Sequence, residues 1–208
     1  MEYLLHLDRE LLLLVNRGCS GFLDSVMLFF SQIKVWFPLY AIVAFLFFIP
    51  LWYSRKSLVF KRHISIPIWL MGLVSIVLVA LNCVATDQIA NLFKSGIQRP
   101  RPCSDPIIGL FVRNISGASG YGFYSGHAAN VFGFAIITSL IFRRKAYTWI
   151  IFIWAAIVSY SRIYLGAHYP LDVLTGICAG LLTGYIFYLI WQWVILSLNR
   201  LYRRRRRR

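Results

Sequence analysis

Between Ile64 and Phe93 the chain runs thirty residues with a single charged side chain. That is longer than the roughly 20 residues needed to cross a bilayer. In hydrocarbon every backbone N–H and C=O must be satisfied within its own segment, so the run is expected to be a helix. Further apolar runs cover Val35 to Tyr53, Ala128 to Phe142, Tyr147 to Tyr160 and Leu171 to Leu198. Only 14% of the 208 residues are charged and 59% are apolar, against roughly 25% charged in a soluble domain. The expected fold is all-α: a polytopic membrane helix bundle of about five to six transmembrane helices, forming a single membrane-embedded domain over residues 1–208.

Residues 2 to about 17 place Tyr3, Leu4, Leu7, Leu11, Leu14 and Val15 at helical spacing with Asp8, Arg9, Asn16 and Arg17 between them. That pattern predicts an interfacial amphipathic helix lying along the membrane. A short amphipathic piece from Leu23 to Phe30 follows, and a sixth span results if Phe22 to Phe37 also crosses. Glu2, Asp8 and Glu10 stand where a signal peptide carries positive charge, so no cleavable leader is expected.

Net charge is +15, a balance that ordinarily points to nucleic acid. The positions of the charges argue against that partner. Six arginines form the run Arg203 to Arg208, and most others lie in short loops between apolar segments. In a five-span layout, fourteen of the 22 Lys and Arg fall on one side, with Arg55, Lys56, Lys61, Arg62, Arg143, Arg144 and Lys145 joining the C-terminal group. That side carries no acidic residue. The positive-inside rule assigns it to the cytoplasm, and the basic tail 199–208 is expected to meet anionic lipid. Among the four cysteines, Cys83 and Cys178 fall inside apolar runs, leaving Cys19 and Cys103 as the one plausible pair; spacing alone does not predict that bond.

Three polar clusters then fall on the opposite, outward side. The first is Lys94…Arg101-Pro102 at the exit of the second span, where Pro100 and Pro102 stiffen the chain. The second, Ser125-Gly126-His127, opens the third span with small residues that let backbone N–H groups approach an anion. The third, Ser161-Arg162…His168…Asp172, joins the fourth span to the fifth. Each has a plain structural reading: snorkelling cations, an N-cap serine, a polar plug in the bundle. Together they supply three cations, two histidines, serine hydroxyls and a carboxylate, an inventory suited to gripping a phosphate and breaking a P–O bond. His168 and Asp172 are four apart, a spacing that sets a carboxylate beside an imidazole and frees the second ring nitrogen as a nucleophile.

Lys94-x6-Arg101-Pro102, Ser125-Gly126-His127 and Ser161-Arg162-x5-His168-x3-Asp172 resemble the three-part signature of the type 2 phosphatidic acid phosphatase (PAP2) superfamily over about residues 80–180. Tyr124 departs from the pattern, where the family usually has proline. The resemblance implies a metal-independent membrane phosphatase needing no cofactor. His168 would attack phosphorus, Asp172 would orient it, and His127 would protonate the leaving oxygen and then activate water. Lys94, Arg101, Arg162, Ser125 and Gly126 would hold the phosphoryl oxygens, with no metal ligand among them.

The expected substrate is a lipid phosphate reached from the periplasmic face of a bacterial inner membrane, with undecaprenyl diphosphate or a related lipid phosphate preferred. Lipid A and phosphatidylglycerol phosphate are the alternatives. The outer loop from Cys103 to Tyr124, which carries Arg113, is expected to be a loop, with a lid or entrance as the alternative. Rival classes are a vanadium haloperoxidase, disfavoured by the membrane spans, and a lipid-phosphate binding or transport protein without hydrolysis.

Overall fold

The computed structural model describes residues 2–18, 20–53 and 65–206. Seven α-helices account for most of them: α1 Glu2–Arg17, α2 Gly21–Ser31, α3 Phe37–Leu46, α4 Ile68–Ile97, α5 Gly126–Phe142, α6 Lys145–Tyr164 and α7 Pro170–Arg206. Helices α4, α6 and α7 are long and apolar enough to cross a membrane. At 17 residues α5 measures about 26 Å, and it runs through the middle of the bundle, packed on α4, α6 and α7.

The expected span from Val35 to Tyr53 is shorter than its hydropathy implied. Its α-helix stops at Leu46, between a 3-10 turn at Ile33–Trp36 and another at Pro50–Trp52. A proline ring clashes with the carbonyl four residues earlier, which for Pro50 is that of Leu46. The stretch from Phe22 into Phe37 is likewise not a straight crossing helix, because α2 ends at Ser31 and meets α1 at a bend of 116°.

Close approach of α5 and α7 comes from a stripe of glycines at four-residue spacing. A Cβ on Gly176 would lie 2.5 Å from the Ser125 carbonyl oxygen, one on Gly180 2.1 Å from that of Ala129, and one on Gly184 2.5 Å from that of Gly133. Small residues let helix backbones touch where lipid supplies no hydrophobic drive for association. Below this seam, Phe47, Met71, Phe134, Ile141, Trp154 and Trp191 pack into the main apolar core. Trp191 satisfies its indole by donating to Ser75 Oγ at 2.8 Å.

Helix α1 has its apolar face turned outward. Tyr3, Leu4, Leu7, Leu11 and Leu14 are exposed, while Asp8, Leu12 and Asn16, one helical turn apart, are buried against the protein. At the other end of the chain the described part of the basic run is helical, since α7 continues through Arg203 to Arg206. Arginines in a last helical turn complement the helix dipole. Of the cysteines, Cys103 turns its thiol to the Ala118 carbonyl at 3.3 Å; Cys19 lies outside the described residues.

Alternating helix directions bring the C-terminal ends of α4 and α6 and the N-terminal ends of α5 and α7 to one end of the bundle. The segment 98–125 crosses that end. It is pinned by an antiparallel bridge between Pro100 and Tyr121, with Arg101 N donating to Gly120 O at 3.2 Å and Gly122 N to Arg99 O at 2.9 Å.

Candidate active site

Two features fix the turn that carries His168. The end of α6 folds back, with the Ala167 and His168 amides donating to Arg162 O at 3.0 and 3.2 Å. Gly166 adopts φ +70°, and a Cβ there would meet Arg113 O at 2.7 Å. His168 is 2% exposed. Its Nε2 lies 3.4 Å from Arg101 Nη1, which itself donates to Ala167 O at 2.9 Å. Burial, reinforced by the charges of Arg101 and Arg162 against the pull of Asp172, pushes the imidazole down to about 4, because low dielectric disfavours the charged form. The ring is therefore neutral near pH 7.

The four-residue spacing brings Asp172 beside His168, at 3.8 Å from Oδ2 to Nδ1. That is longer than a hydrogen bond, and the carboxylate is engaged elsewhere. Oδ2 accepts from the Tyr169 amide at 3.1 Å, and Oδ1 accepts from Arg99 Nη1 at 2.7 Å. The Asp172 carbonyl also accepts from Ser125 N at 3.0 Å, tying the start of α7 to the start of α5.

The other expected phosphate ligands gather around this pair. His127, on the first turn of α5, lies in the field of Arg162, Lys94 and Arg101 and close to His168. Lys94, half-buried, shares its surroundings with Arg101, Asp87 and Arg162. A Cβ added to Gly126 would sit 3.7 Å from Lys94 Nζ, so the bare glycine leaves the ammonium room at the helix terminus. Ser125 is fully buried as the N-cap of α5, its Oγ accepting from Ala128 N at 3.5 Å.

Arg162 is 8% exposed and pairs through Nη1 with Ser31 Oγ. Among the described residues, Arg101 Nε and Arg162 Nε are buried guanidinium donors with no hydrogen-bond partner in the protein. Buried donors are nearly always satisfied, so two such N–H groups on neighbouring arginines are free to take up an acceptor from a bound group. The hydroxyl of Ser161 does not join them: it donates back to Val158 O at 2.6 Å, which corrects its reading as an anion donor.

Sequence reasoning passed over the residues that support this constellation. Arg99 bridges two carboxylates, with Nη2 donating to Asp8 Oδ2 at 2.6 Å while Nη1 holds Asp172, and its guanidinium stacks 4.0 Å from the centre of the Tyr169 ring. Asp8 also accepts from Leu171 N at 2.8 Å, capping the first turn of α7 from a different helix. Tyr169 donates to Asp105 Oδ2 at 2.6 Å; that carboxylate also accepts from Arg9 Nε at 3.0 Å and from the amides of Ile107 and Ile108. Burial raises the Asp105 carboxyl, but these donors outweigh it and hold the group below its usual range. The missed signal was cost: charges on a buried face of a membrane domain persist only where they are paired.

The loop from Cys103 to Tyr124 is anchored to α1 and α2. Asn16 Nδ2 donates to Arg113 O at 3.1 Å and to Tyr164 O at 2.8 Å, its Oδ1 accepts from Arg113 N at 2.8 Å, and Arg113 Nη2 pairs with Asp24 at 2.7 Å. Tyr124, where the signature ordinarily has proline, is 2% exposed and packs with Ala90, Phe123, Ala129 and Ala179.

Comparison with known proteins follows the same lines. The family model of the PAP2 superfamily matches residues 69–196. A lipid A 4'-phosphatase from Porphyromonas gingivalis is 35% identical over 92% of this chain and 75% of its own length. The undecaprenyl-diphosphatase BcrC of Bacillus subtilis is 26% identical over 81% of this chain and 75% of its own. Among solved structures, the crystal structure of Aquifex aeolicus LpxE superposes with a TM-score of 0.63 at 25% identity, covering 86% of this chain and 92% of that one.

Proposed function

The chain belongs to the PAP2 superfamily and is a membrane lipid phosphatase, and on that premise we propose that it releases phosphate from a phosphomonoester on the headgroup of a membrane glycolipid. The observation that carries this reading is the pair of unpartnered, buried guanidinium N–H groups, Arg101 Nε and Arg162 Nε, beside a neutral His168. Together they are an anion site with a nucleophile.

In this mechanism the phosphoryl group is gripped by Arg101, Arg162 and Lys94, with the Ser125 hydroxyl and the Gly126 amide completing the cradle. Preorganised cations in a partly dry site act strongly on charge that builds in the transition state. His168 Nε2 attacks phosphorus in line while the P–O bond to the headgroup breaks. His127, protonated when the bound phosphate's negative charge offsets the surrounding cations, gives that proton to the departing alkoxide. Asp172 faces Nδ1 and steadies the positive charge on the ring as the phosphohistidine forms. The neutral His127 then takes a proton from water, whose oxygen attacks phosphorus and returns His168 to its starting state.

Support for a glycolipid comes from the lipid A 4'-phosphatase relative, which shares more identity with this chain over more of its length than BcrC does. Undecaprenyl diphosphate, preferred from the outward position of the site at the membrane surface, is the second reading and is supported by the likeness to BcrC. The positive-inside argument supports a site on the periplasmic face and a C-terminus in the cytoplasm, and the basic end of α7 suits anionic lipid there.

The test is phosphate release by purified, detergent-solubilised protein with EDTA present, offered lipid A, undecaprenyl diphosphate and phosphatidylglycerol phosphate, beside His168→Ala. Release by the wild type and loss in the variant, with an alkali-stable phosphoenzyme found only in the wild type, is the expected result. Binding of lipid phosphate without release, unchanged in His168→Ala, would move the assignment to a binding or transport protein.

A further inference from the structure

One acidic side chain on α4 is left unused by this mechanism. From Ile68 to Ala85 the helix carries no charge, a stretch of about 27 Å that nearly fills the hydrocarbon thickness. Asp87 follows after the uncharged Thr86, where a span of that length reaches the headgroups, and Lys94 stands two turns, about 10 Å, further along the helix. Asp87 is exposed, and its Oδ1 accepts from Asn130 Nδ2 of α5 at 2.6 Å. Both Asp87 Oδ1 and Lys94 Nζ lie 3.7 Å from the point that a Gly126 Cβ would occupy. The carboxylate therefore flanks the phosphate cradle on the side of α5 that carries His127, three residues from Asn130. The Asn130 Oδ1 acceptor is buried without a hydrogen-bond partner among the described residues.

An apolar cavity of about 260 Å³ continues the same line inward, walled by Val43, Phe47, Val79, Ala80, Cys83 and Phe134 among others. Cys83 is one turn below Asp87 on α4, and Phe134 is one turn below Asn130 on α5. Both antiparallel helices thus present the same order toward the outside: apolar cavity, polar pair, phosphate-binding group.

We propose that Asp87 and Asn130 form the subsite for the group that bears the reacting phosphate, and that they select a neutral headgroup rich in hydroxyl or amide donors and reject a second phosphate there. This rests on the phosphatase reading and deepens it. The order of tiers matches an amphiphile with its acyl chain innermost, then a sugar or polyol, then a terminal phosphomonoester. A carboxylate and an amide oxygen accept hydrogen bonds from such a headgroup. In a prenyl diphosphate the inner phosphate falls at that tier, where like charge opposes it. Hydrogen-bond matching and charge repulsion then act together as a specificity device.

The experiment compares kcat/KM for lipid A and for undecaprenyl diphosphate in wild-type protein, Asp87→Asn and Asn130→Lys. The first variant removes the negative charge and the second sets an ammonium beside it from the other helix. Wild type is expected to favour the monoester, and both variants to shift the ratio toward the diphosphate by roughly tenfold or more. A wild type that prefers the diphosphate overturns the proposal, with no variant needed. So does a ratio unchanged within about twofold in the variants, or an equal loss on both substrates, the mark of a carboxylate that only balances Lys94. If folded wild type releases phosphate from neither lipid, the glycolipid reading of the substrate fails and takes this one with it.

Discussion

Arg99 holds Asp172 through an ion pair of 2.7 Å from Nη1 to Oδ1, while its other terminal nitrogen reaches Asp8 of α1 at 2.6 Å. The carboxylate that faces His168 is thereby tied to the first helix of the chain. Asp8 and Asp172 are both buried, and the single guanidinium between them is what lets two carboxylates share that space.

Arg99→Ala is expected to lower kcat by on the order of 10- to 100-fold, the usual effect of losing an orienting partner, with KM changed far less. Arg99→Lys keeps the charge but not the fork that spans two carboxylates, so it should fall between the two. Steady-state kinetics on a lipid phosphate checks both, and a wild-type kcat in Arg99→Ala would remove any positioning role.

Asn16 is fully buried and binds the backbone of both the outer loop and the end of α6. Asn16→Ala leaves those backbone groups without their partner, at a cost of about 1–3 kcal/mol. A lower melting temperature and faster proteolysis between Cys103 and Tyr124 are expected, read by thermal denaturation and limited digestion.

Stability should fall as the medium becomes acidic through the range set by His168. Its folded value of about 4 lies below the unfolded value of 6.5, so the unfolded state binds the proton more readily. This contribution is fully present above about pH 6.5 and is lost as pH drops toward 4. His168→Asn should flatten that part of the curve in a melting series from pH 7 to pH 4. Turnover needs the neutral ring, so the acid limb due to His168 belongs near pH 4 rather than 6.5.

Gly180→Ala tests the α5–α7 seam. With the new Cβ only 2.1 Å from Ala129 O, the helices must part, at a cost of about 1–3 kcal/mol. Activity should fall with stability, because the same seam sets Ser125 against α7. A variant with wild-type melting temperature would show that the helices separate at no cost.

Vanadate, which mimics phosphorus in its five-coordinate transition state, is expected to inhibit competitively and to protect the wild type against heat. Arg162→Ala, which removes one of the buried donors, should lose both effects. A melting series with and without vanadate reads the second without any substrate.

Much of this was legible in order along the chain. Long apolar runs gave helices, because a backbone in lipid has no other way to satisfy its hydrogen bonds. Their alternation was enough to collect Lys94, His127, Arg162 and His168 at one end. Pro50 shows where hydropathy misled: it registers apolarity from Val35 to Tyr53 and is blind to a ring that stops the helix at Leu46.

What the sequence determined by itself is the identity and grouping of the reactive side chains, since these follow from local spacing and from the period of helices in a membrane. Only the tertiary structure decided how they are held: that Asp172 leans on Arg99, that Arg99 is shared with Asp8, that Ser161 turns away, and that Asp87 meets Asn130. Each of these pairs joins residues far apart in the chain or depends on a side-chain torsion. Such contacts are set by which helix faces come together, and here that choice rests on the glycine stripe of α7 and on the buried polar face of α1.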